Sequence, residues 1–457
     1  MNRVAARAAA LVIFVLALVA GVVFFLGEYL AGAEDWVMFS GSPHVYSNGK
    51  LGTGIMTDRD GVVLTDLRDG KSYSSDRTLR ESVLHWTGDR QGNIHAPFMQ
   101  TYATELLGYD PVNGLYAYGD ACGVVTLTLS AKAQKTALEA MGQRKGTVAV
   151  YNYKTGEILC AVTTPTFDPE QVPDLENDPE GRYTGVYLNR FLQSRYIPGS
   201  IFKIVSLAAA LEAAPDVVDL EFTCEGTYEI GGGDVTCMQP HGRQNLKEAF
   251  CNSCNCAFAQ VAEHIGREKL ARYVDLMGVT ASQSFDGVTT AAGNFDVTDA
   301  TPEQVAWSAI GQHHDQINPC SFLTYMGAVA GEGVGVAPYI VKEVSVGNST
   351  TYQASAQGRD RVVSRQTAET LREYLRNNVV NHYGVENFPD VEVCAKTGTA
   401  EVGGGKAPNA TFAGFVADPE YPLAFIVMVE EGGYGREACI PIASKVLKAC
   451  MNAMDGL

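Results

Sequence analysis

An uncharged apolar stretch near the N-terminus restricts this 457-residue chain more than any other feature of its sequence. Residues 8–27 read AAALVIFVLALVAGVVFFLG, a run without a single charge. About 20 apolar residues in a helix are long enough to cross a bilayer, so we predict a transmembrane anchor over 8–27. Arg3 and Arg7 precede it, which places segment 1–7 in the cytoplasm and the rest of the chain outside.

A cleaved signal peptide is the alternative to a retained anchor. The sequence AGA at residues 31–33 offers a cleavage site. The apolar run, however, is longer than the 7–15 residues usual for a signal peptide, and this favours a single-pass membrane protein with its main part extracytoplasmic.

The charge balance excludes one large class of partner. The chain carries 34 Lys and Arg against 52 Asp and Glu, a net charge of −18. Nucleic-acid binding needs a basic surface, so we do not expect nucleic acid to be the partner. The length allows two or three domains.

Eleven cysteines are unusual in an exported chain, and the number is odd. Cys224 and Cys237 flank the turn-like EIGGGDV, which leaves a hairpin disulfide and two unpaired buried thiols equally open. Cys251, Cys254 and Cys256 crowd together, but zinc needs a second pair of ligands and none stands out in the sequence. We therefore predict no metal and no other cofactor.

Strand patterns lie near both ends of the chain, and a mostly helical middle spans about 196–335. The N-terminal part has a hairpin around Asp60-Gly61 and a helix over 131–141 that Ser130 caps and Gly142 ends. A helix from about 440 closes the chain. The remaining strand patterns are 124–129, 146–153, 157–164, 391–396, 411–418 and 423–430. This arrangement predicts an α+β domain whose sheet is built from both termini.

The sequence YIPGSIFKIV places Ser200 and Lys203 one helical turn apart at the start of an apolar helix. A serine hydroxyl needs a nearby base to become a nucleophile, and a lysine is such a base when burial lowers its pKa. A free backbone N–H at a helix start also suits a developing oxyanion. Alone, this spacing is common by chance and favours a capping serine followed by a snorkelling lysine.

Two further motifs change that balance. Ser253-Cys254-Asn255 places a hydroxyl and an amide two residues apart before a helical run. Lys396-Thr397-Gly398-Thr399 follows an apolar strand, where Gly398 leaves room for a ligand and the other three supply a cation and hydroxyls for an anionic group. A second KTG, at 154–156, reads as a hairpin turn.

The order S-x-x-K, S-x-N, K-T-G is the triple of serine β-lactamases and penicillin-binding proteins. With its single N-terminal anchor, the chain resembles the class B penicillin-binding proteins over about 125–457. The resemblance implies an antiparallel sheet flanked by helices plus a helical subdomain in a transpeptidase domain at 126–457. A small pedestal at 34–125 precedes it, with no room for a glycosyltransferase domain.

The resemblance also implies a mechanism of peptidoglycan D,D-transpeptidation that β-lactams intercept at the same serine. It assigns catalysis to Ser200 as nucleophile, Lys203 as base, Ser253 as proton relay and Lys396 as electrostatic support. It assigns substrate binding to Asn255, Thr397, Gly398 and Thr399, with backbone N–H groups of residues 200 and 399 as the oxyanion hole. The partners implied are stem peptides, β-lactams and a membrane glycosyltransferase.

Two positions depart from the family pattern. Gln312-His313-His314 stands where relatives usually have Gly-Gln-Gly, so we expect His313 at the rim of the site, and Cys254 is an unusual middle residue of S-x-N. A D,D-carboxypeptidase, a β-lactamase and a non-catalytic cell-wall scaffold remain the alternatives. The sequence does not distinguish a role in septation from one in elongation.

Overall fold

A computed structural model describes residues 2–37, 54–68, 71–94, 96, 98, 101–107, 109–110, 115–116 and 122–457. The N-terminal helix runs over Asn2–Val37, of which Arg3–Gly32 is long and apolar enough to cross a membrane, and no residue of its apolar window is buried. The predicted helix at 8–27 is confirmed as a helix; it begins and ends well beyond the predicted bounds. That it crosses a membrane stays a prediction.

A five-stranded antiparallel sheet forms the centre of the molecule, and it takes strands from both ends of the transpeptidase-like region, as predicted. Its order is Val393–Ala400, Asn409–Val416, Leu423–Val429, Gly146–Asn152 and Ile158–Thr164. The first three strands match the predicted C-terminal patterns within four residues at each end. The KTG at 154–156 lies in the turn between Gly146–Asn152 and Ile158–Thr164, as expected.

Helices cover both faces of this sheet. Ala131–Met141 and Gly435–Met454 pack on one face, where Phe412, Phe425 and Val427 meet their apolar side chains. Ser130 caps the first of these helices and Gly142 ends it, as predicted. Pro319–Ala330 packs on the opposite face, in a larger core that extends into the helical middle of the chain. The sheet is therefore buried on both sides, which holds its strands in a fixed register.

A six-stranded sheet forms the N-terminal region, and two of its strands come from far along the chain. Its order is Ser349–Gln353, Val341–Val346, Gly123–Leu127, Ile55–Thr57, Val63–Asp66 and Ser72–Tyr73. The predicted hairpin around Asp60-Gly61 is confirmed, since Ile55–Thr57 pairs antiparallel with Val63–Asp66. The boundary at residue 125 stays a prediction, but residues 341–353 pair with the N-terminal side of it.

The middle of the chain is less uniformly helical than the sequence predicts, because Gly-rich turns fold residues 221–245 into two small antiparallel pairs. These two pairs are Glu221–Cys224 with Gly242–Asn245 and Thr227–Ile230 with Gly233–Thr236. Further small pairs outside this segment are Ser284–Phe285 with Val288–Thr289, Val334–Val336 with Gly358–Arg361, and Tyr109–Asp110 with Leu115–Tyr116. Further α-helices in the described residues are Arg77–Ser82, Leu84–Thr87, Ala103–Leu107, Arg190–Gln193, Lys203–Ala213, Leu246–Cys251, Asn255–Ile265, Arg267–Leu276, Pro302–Ala309 and Arg365–Asn378. Short 3₁₀ turns occupy Gly199–Phe202, Pro215–Asp219 and Val385–Asn387, and Val379–Tyr383 is a π-helical turn.

Candidate active site

Ser200 lies in a 3₁₀ turn, Gly199–Phe202, that leads directly into the helix Lys203–Ala213. Gly199 has φ +59°, and a Cβ there would lie 2.5 Å from the carbonyl oxygen of Thr399. Its backbone N–H donates to the carbonyl of Gly311 at 2.8 Å. Because only glycine fits so close to the neighbouring strand, the sequence PGS presses the turn of Ser200 against the strand Val393–Ala400.

Lys203 is fully buried one turn beyond Ser200. Its Nζ donates to the carbonyl oxygen of Ser253 at 2.5 Å and to Oδ1 of Asn255 at 2.7 Å, and it lies 3.3 Å from the Oγ of Ser253. Burial disfavours the charged ammonium and lowers the pKa of Lys203 from 10.5 to about 8. The lysine that the sequence places in an apolar helix is therefore held by hydrogen bonds to Ser253 and Asn255 of the second motif.

The Ser253–Asn255 segment is a tight turn between two helices, Leu246–Cys251 and Asn255–Ile265. Ser253 adopts φ +51°, which is uncommon for a residue other than glycine. The Sγ of Cys254 accepts from the backbone N–H of Ala257 at 3.4 Å and so caps the second helix. The Nδ2 of Asn255 donates to the carbonyl of Thr236 at 2.9 Å, so both ends of this amide are engaged within the protein.

Lys396 is the second buried cation of the site, with 1% of its surface exposed. It lies on the strand Val393–Ala400, and its Nζ is 5.2 Å from the ring centroid of Phe250. Burial, and then the nearby charge of Lys203, hold the pKa of Lys396 well below its usual value. Two lysines that share one buried region disfavour each other's protonation.

Thr397 is held by Tyr383, a residue that the sequence analysis did not single out. The hydroxyl of Tyr383 accepts from the backbone N–H of Thr397 at 3.0 Å and lies 3.1 Å from its Oγ1. Tyr383 is buried in the π-helical turn before the strand, 13 residues from the motif, and no local pattern marks it. It fixes the direction of the Thr397 side chain.

Gly398 has a packing role besides the substrate-binding one expected, which stays a prediction. A Cβ at this position would lie 2.3 Å from Oγ1 of Thr411, 3.0 Å from the backbone N of Ile201 and 3.1 Å from the carbonyl of Pro198. The space that glycine leaves is therefore filled by the turn of Ser200 itself. The glycine brings the nucleophile and the third motif together.

These elements surround an open cleft of about 980 Å³. Six of the eight predicted site residues line it, namely Ser200, Ser253, Asn255, Thr397, Gly398 and Thr399. The two lysines lie buried behind them. His313, with φ +66° and its ring 4.0 Å from that of His314, also lines the cleft, which agrees with the expected place at the rim.

Three cysteines and a histidine converge behind the Ser253–Asn255 turn. One ligand atom from each of Cys224, Cys237, His241 and Cys254 lies within 4.8 Å of the others, and we call this group the thiol–imidazole cluster. The three cysteines of this cluster are free thiols, so of the two alternatives for Cys224 and Cys237 the structure has the unpaired one. Of the three crowded cysteines in the sequence only Cys254 belongs to this cluster, and the fold brings the other three members to it from residues 224–241.

Comparison with known proteins agrees with this architecture. The family model described as penicillin binding protein transpeptidase domain matches residues 146–451. The chain is 28% identical over 345 residues to the peptidoglycan D,D-transpeptidase PbpA of Mycolicibacterium smegmatis, a match that covers 68% of each protein. It is 30% identical over 329 residues to the stage V sporulation protein D of Bacillus subtilis, covering 68% of this chain and 50% of that relative.

Solved structures share the fold over most of the chain. The D,D-transpeptidase domain of a peptidoglycan glycosyltransferase from Eggerthella lenta superposes with a TM-score of 0.75 at 27% identity, covering 90% of this chain and all of that one. A ceftriaxone acyl-enzyme complex of penicillin-binding protein A from M. tuberculosis has a TM-score of 0.76 at 24% identity, over 88% of this chain and 98% of that one.

Proposed function

This chain belongs to the penicillin-binding protein transpeptidase family, and from that premise we propose that it is a peptidoglycan D,D-transpeptidase with Ser200 as its nucleophile. One observation carries the assignment of residues. Lys203 is buried, its Nζ contacts both Ser253 and Asn255, and it follows by one turn a serine that faces the open cleft. A base of lowered pKa beside a serine at a helix start is what acyl transfer requires.

In the proposed acylation step, Oγ of Ser200 attacks the carbonyl of the penultimate D-alanine of a stem peptide. Neutral Lys203 takes the hydroxyl proton, and the backbone N–H groups of Ser200 and Thr399 stabilise the oxyanion. The C–N bond then breaks, and the proton reaches the leaving D-alanine amine through Ser253. The product is a serine ester.

The other site residues position substrate and base. Asn255 holds Lys203 through Oδ1 and offers the second N–H of its amide nitrogen to the substrate backbone, and Lys396 keeps the electrostatic balance around Ser253. The hydroxyls of Thr397 and Thr399 bind the terminal carboxylate, the first in the direction that Tyr383 sets. The amine of a neighbouring stem attacks the ester, forms the cross-link and returns the proton to Ser200.

Ser200 acylation is tested with a fluorescent penicillin on the full-length chain in detergent. We expect the wild type to be labelled and Ser200→Ala to be unlabelled. Ser206→Ala is the matched control, because it removes a serine from the same helix whose Oγ donates only to the carbonyl of Ala309, at 2.6 Å. An unlabelled wild type, or equal labelling of Ser200→Ala, would overturn the assignment.

The molecule that attacks the acyl-enzyme, an amine or water, distinguishes transpeptidation from hydrolysis. Incubation with a stem pentapeptide and a D-amino acid should give, by mass spectrometry, the exchanged peptide as well as free D-alanine. Hydrolysis alone would identify a D,D-carboxypeptidase, and rapid turnover of nitrocefin a β-lactamase. Full complementation of a deletion strain by Ser200→Ala would favour a non-catalytic scaffold.

We further propose that the helix Asn2–Val37 anchors the enzyme in the cell membrane with the catalytic part outside, next to a glycosyltransferase that supplies glycan strands. The apolar segment and the arginines before it support this orientation. Intact-mass measurement of the membrane fraction tests retention of the helix. A mass that lacks the first 33 residues would show cleavage. The partnership is tested by chemical cross-linking in the membrane, and the absence of a cross-linked glycosyltransferase would contradict it.

A further inference from the structure

The thiol–imidazole cluster lies directly behind the catalytic turn. Cys224 ends one small strand, Cys237 follows the neighbouring hairpin, and Cys254 stands between Ser253 and Asn255. His241 follows Cys237 after three residues, a spacing at which two ligands reach one zinc ion. Cys224 and Cys254 are fully buried, and the other two members are half-buried. Three soft donors and an imidazole therefore share a sheltered position.

The distances inside the cluster fit a tetrahedral metal centre. The Nδ1 of His241 lies 3.6 Å from Sγ of Cys224 and 3.5 Å from Sγ of Cys237. In a tetrahedron with Zn–S of about 2.3 Å and Zn–N of about 2.0–2.1 Å, the N···S edge is about 3.6 Å. The imidazole nitrogen is thus placed at ligand spacing from two sulfurs at once, whereas a neutral imidazole nitrogen accepts one hydrogen bond well.

We propose that the thiol–imidazole cluster binds one Zn²⁺ ion as a closed, four-ligand structural site. Thiolate and imidazole donors in a tetrahedral set suit zinc, and four protein ligands leave no open position for chemistry on the metal. Binding releases the three thiol protons to solvent and leaves a centre of net charge −1. His241 binds through Nδ1 and keeps its proton on Nε2.

Such an ion would position the base of the reaction. Cys254 is bonded through the backbone to Ser253 and Asn255, whose oxygens accept the hydrogen bonds of Lys203. The other end of Asn255 donates to Thr236, the residue before Cys237. Zinc therefore ties together both segments that hold Lys203. This positioning role rests on the proposed function, whereas the metal site itself does not.

Metal content of the full-length chain tests the site. The protein is purified in detergent with a non-chelating reductant and analysed by inductively coupled plasma mass spectrometry, and we expect about one zinc ion per chain. His241→Ala should lower zinc affinity by roughly 100-fold. His241→Cys keeps four soft ligands and should retain the ion. Cys251→Ser changes a half-buried cysteine of the same segment outside the cluster and should also retain it.

The outcomes separate the site from its role. A wild type without zinc that shows no rise in melting temperature when ZnCl₂ is added, or equal zinc in His241→Ala, would overturn the metal site. A disulfide between Cys224 and Cys237 in the native protein, found by peptide mapping, would do the same.

To test the positioning role, zinc is removed from the wild type with a chelator. The protein is then labelled with fluorescent penicillin before and after ZnCl₂ is added back. We expect labelling to slow at least about 10-fold on stripping and to recover with zinc. Unchanged labelling would overturn the positioning role while the site stands. No labelling of any sample that holds zinc would contradict the proposed function alone.

Discussion

The two walls of the cleft are built by different means. The wall that carries Lys396 to Thr399 is a strand of a buried five-stranded sheet, paired residue by residue with Asn409–Val416. The wall that carries Ser253 to Asn255 is a turn with a left-handed serine, held by side chains and by the thiol–imidazole cluster. The strand carries the buried Lys396 itself, whereas the turn holds the buried Lys203 of a neighbouring helix through hydrogen bonds.

The difference shows how functional side chains are positioned accurately with and without regular secondary structure. In the sheet wall, position follows from the backbone hydrogen bonds of the ladder, so the side chains of Thr397 and Thr399 can face the cleft. In the turn wall, position depends on a few specific side-chain contacts, so losing one of them moves a catalytic group. The turn wall should therefore be the more sensitive of the two to single substitutions.

Loss of the base should give the largest effect. Lys203→Met removes the proton acceptor and should slow acylation by about 10³-fold. Lys396→Met, the matched change in the sheet wall, removes an electrostatic contribution and should slow it by about 10²-fold. Stopped-flow acylation with a chromogenic β-lactam measures both, with thermal melts to verify folding. A larger loss for Lys396→Met would reverse the assigned roles.

The junction between the walls should be the next most sensitive place. Gly398→Ala would push a Cβ into Thr411 and the backbone of the Ser200 turn, and should lower the free energy of unfolding by about 2 kcal/mol. Acylation should slow as well, because the nucleophile is displaced. Gly358→Ala is the control, since nothing lies within 4 Å of a Cβ there. Equal melting temperatures for the two variants would show that the junction is not tightly packed.

A smaller effect is expected from the support behind the sheet wall. Tyr383→Phe leaves the N–H of Thr397 without its acceptor and should cost about 1–2 kcal/mol of stability. The freed Thr397 hydroxyl should raise KM for a D-alanyl substrate more than it lowers kcat. Tyr374→Phe, a buried tyrosine on the adjacent helix, serves as the comparison. A pure loss of kcat would contradict a role in carboxylate binding.

The smallest effect is one of pH, and it arises outside both walls. His85 is buried, donates to the carbonyl of Val186 at 2.8 Å, and has its pKa lowered by burial to about 4. Since its folded pKa lies below the unfolded value, the contribution of His85 to stability decreases as the pH drops below about 6.5 and is lost near pH 4. Between pH 7 and 5.5 this amounts to about 1 kcal/mol.

Urea denaturation at the two pH values checks this expectation. His85→Gln has no titrating imidazole and should lose the His85 share of the pH slope. The same slope in both proteins would place the pH sensitivity elsewhere, including in the two walls.

The parts of the site that the sequence predicts are those with a local signature. Ser200 and Lys203 share a helix face, Gly398 sits in a strand, and the order of the three motifs indicates the family. The central sheet was likewise predicted from strand patterns at both ends, because its strands are fully buried and so read as continuous apolar runs.

The remaining parts depend on long-range packing. His241 and Cys224 approach Cys254 only after residues 221–245 fold into two small hairpins, and a single cysteine carries no sign of its partners. Tyr383 contacts Thr397 through a π-helical turn that has no sequence signature. Residues 341–353 join the N-terminal sheet by edge pairing, which depends on which strands lie side by side in space.

That last pairing bears on the modularity of the chain. Gly123–Leu127 lies between Ile55–Thr57 and Val341–Val346 in one sheet, so the part next to the anchor and the catalytic part share hydrogen bonds. A chain cut near residue 125 would expose the edge of Val341–Val346, and open edges of this kind promote aggregation. The N-terminal region is thus an inseparable part of the enzyme, and recombination or truncation should respect a unit that begins before residue 55.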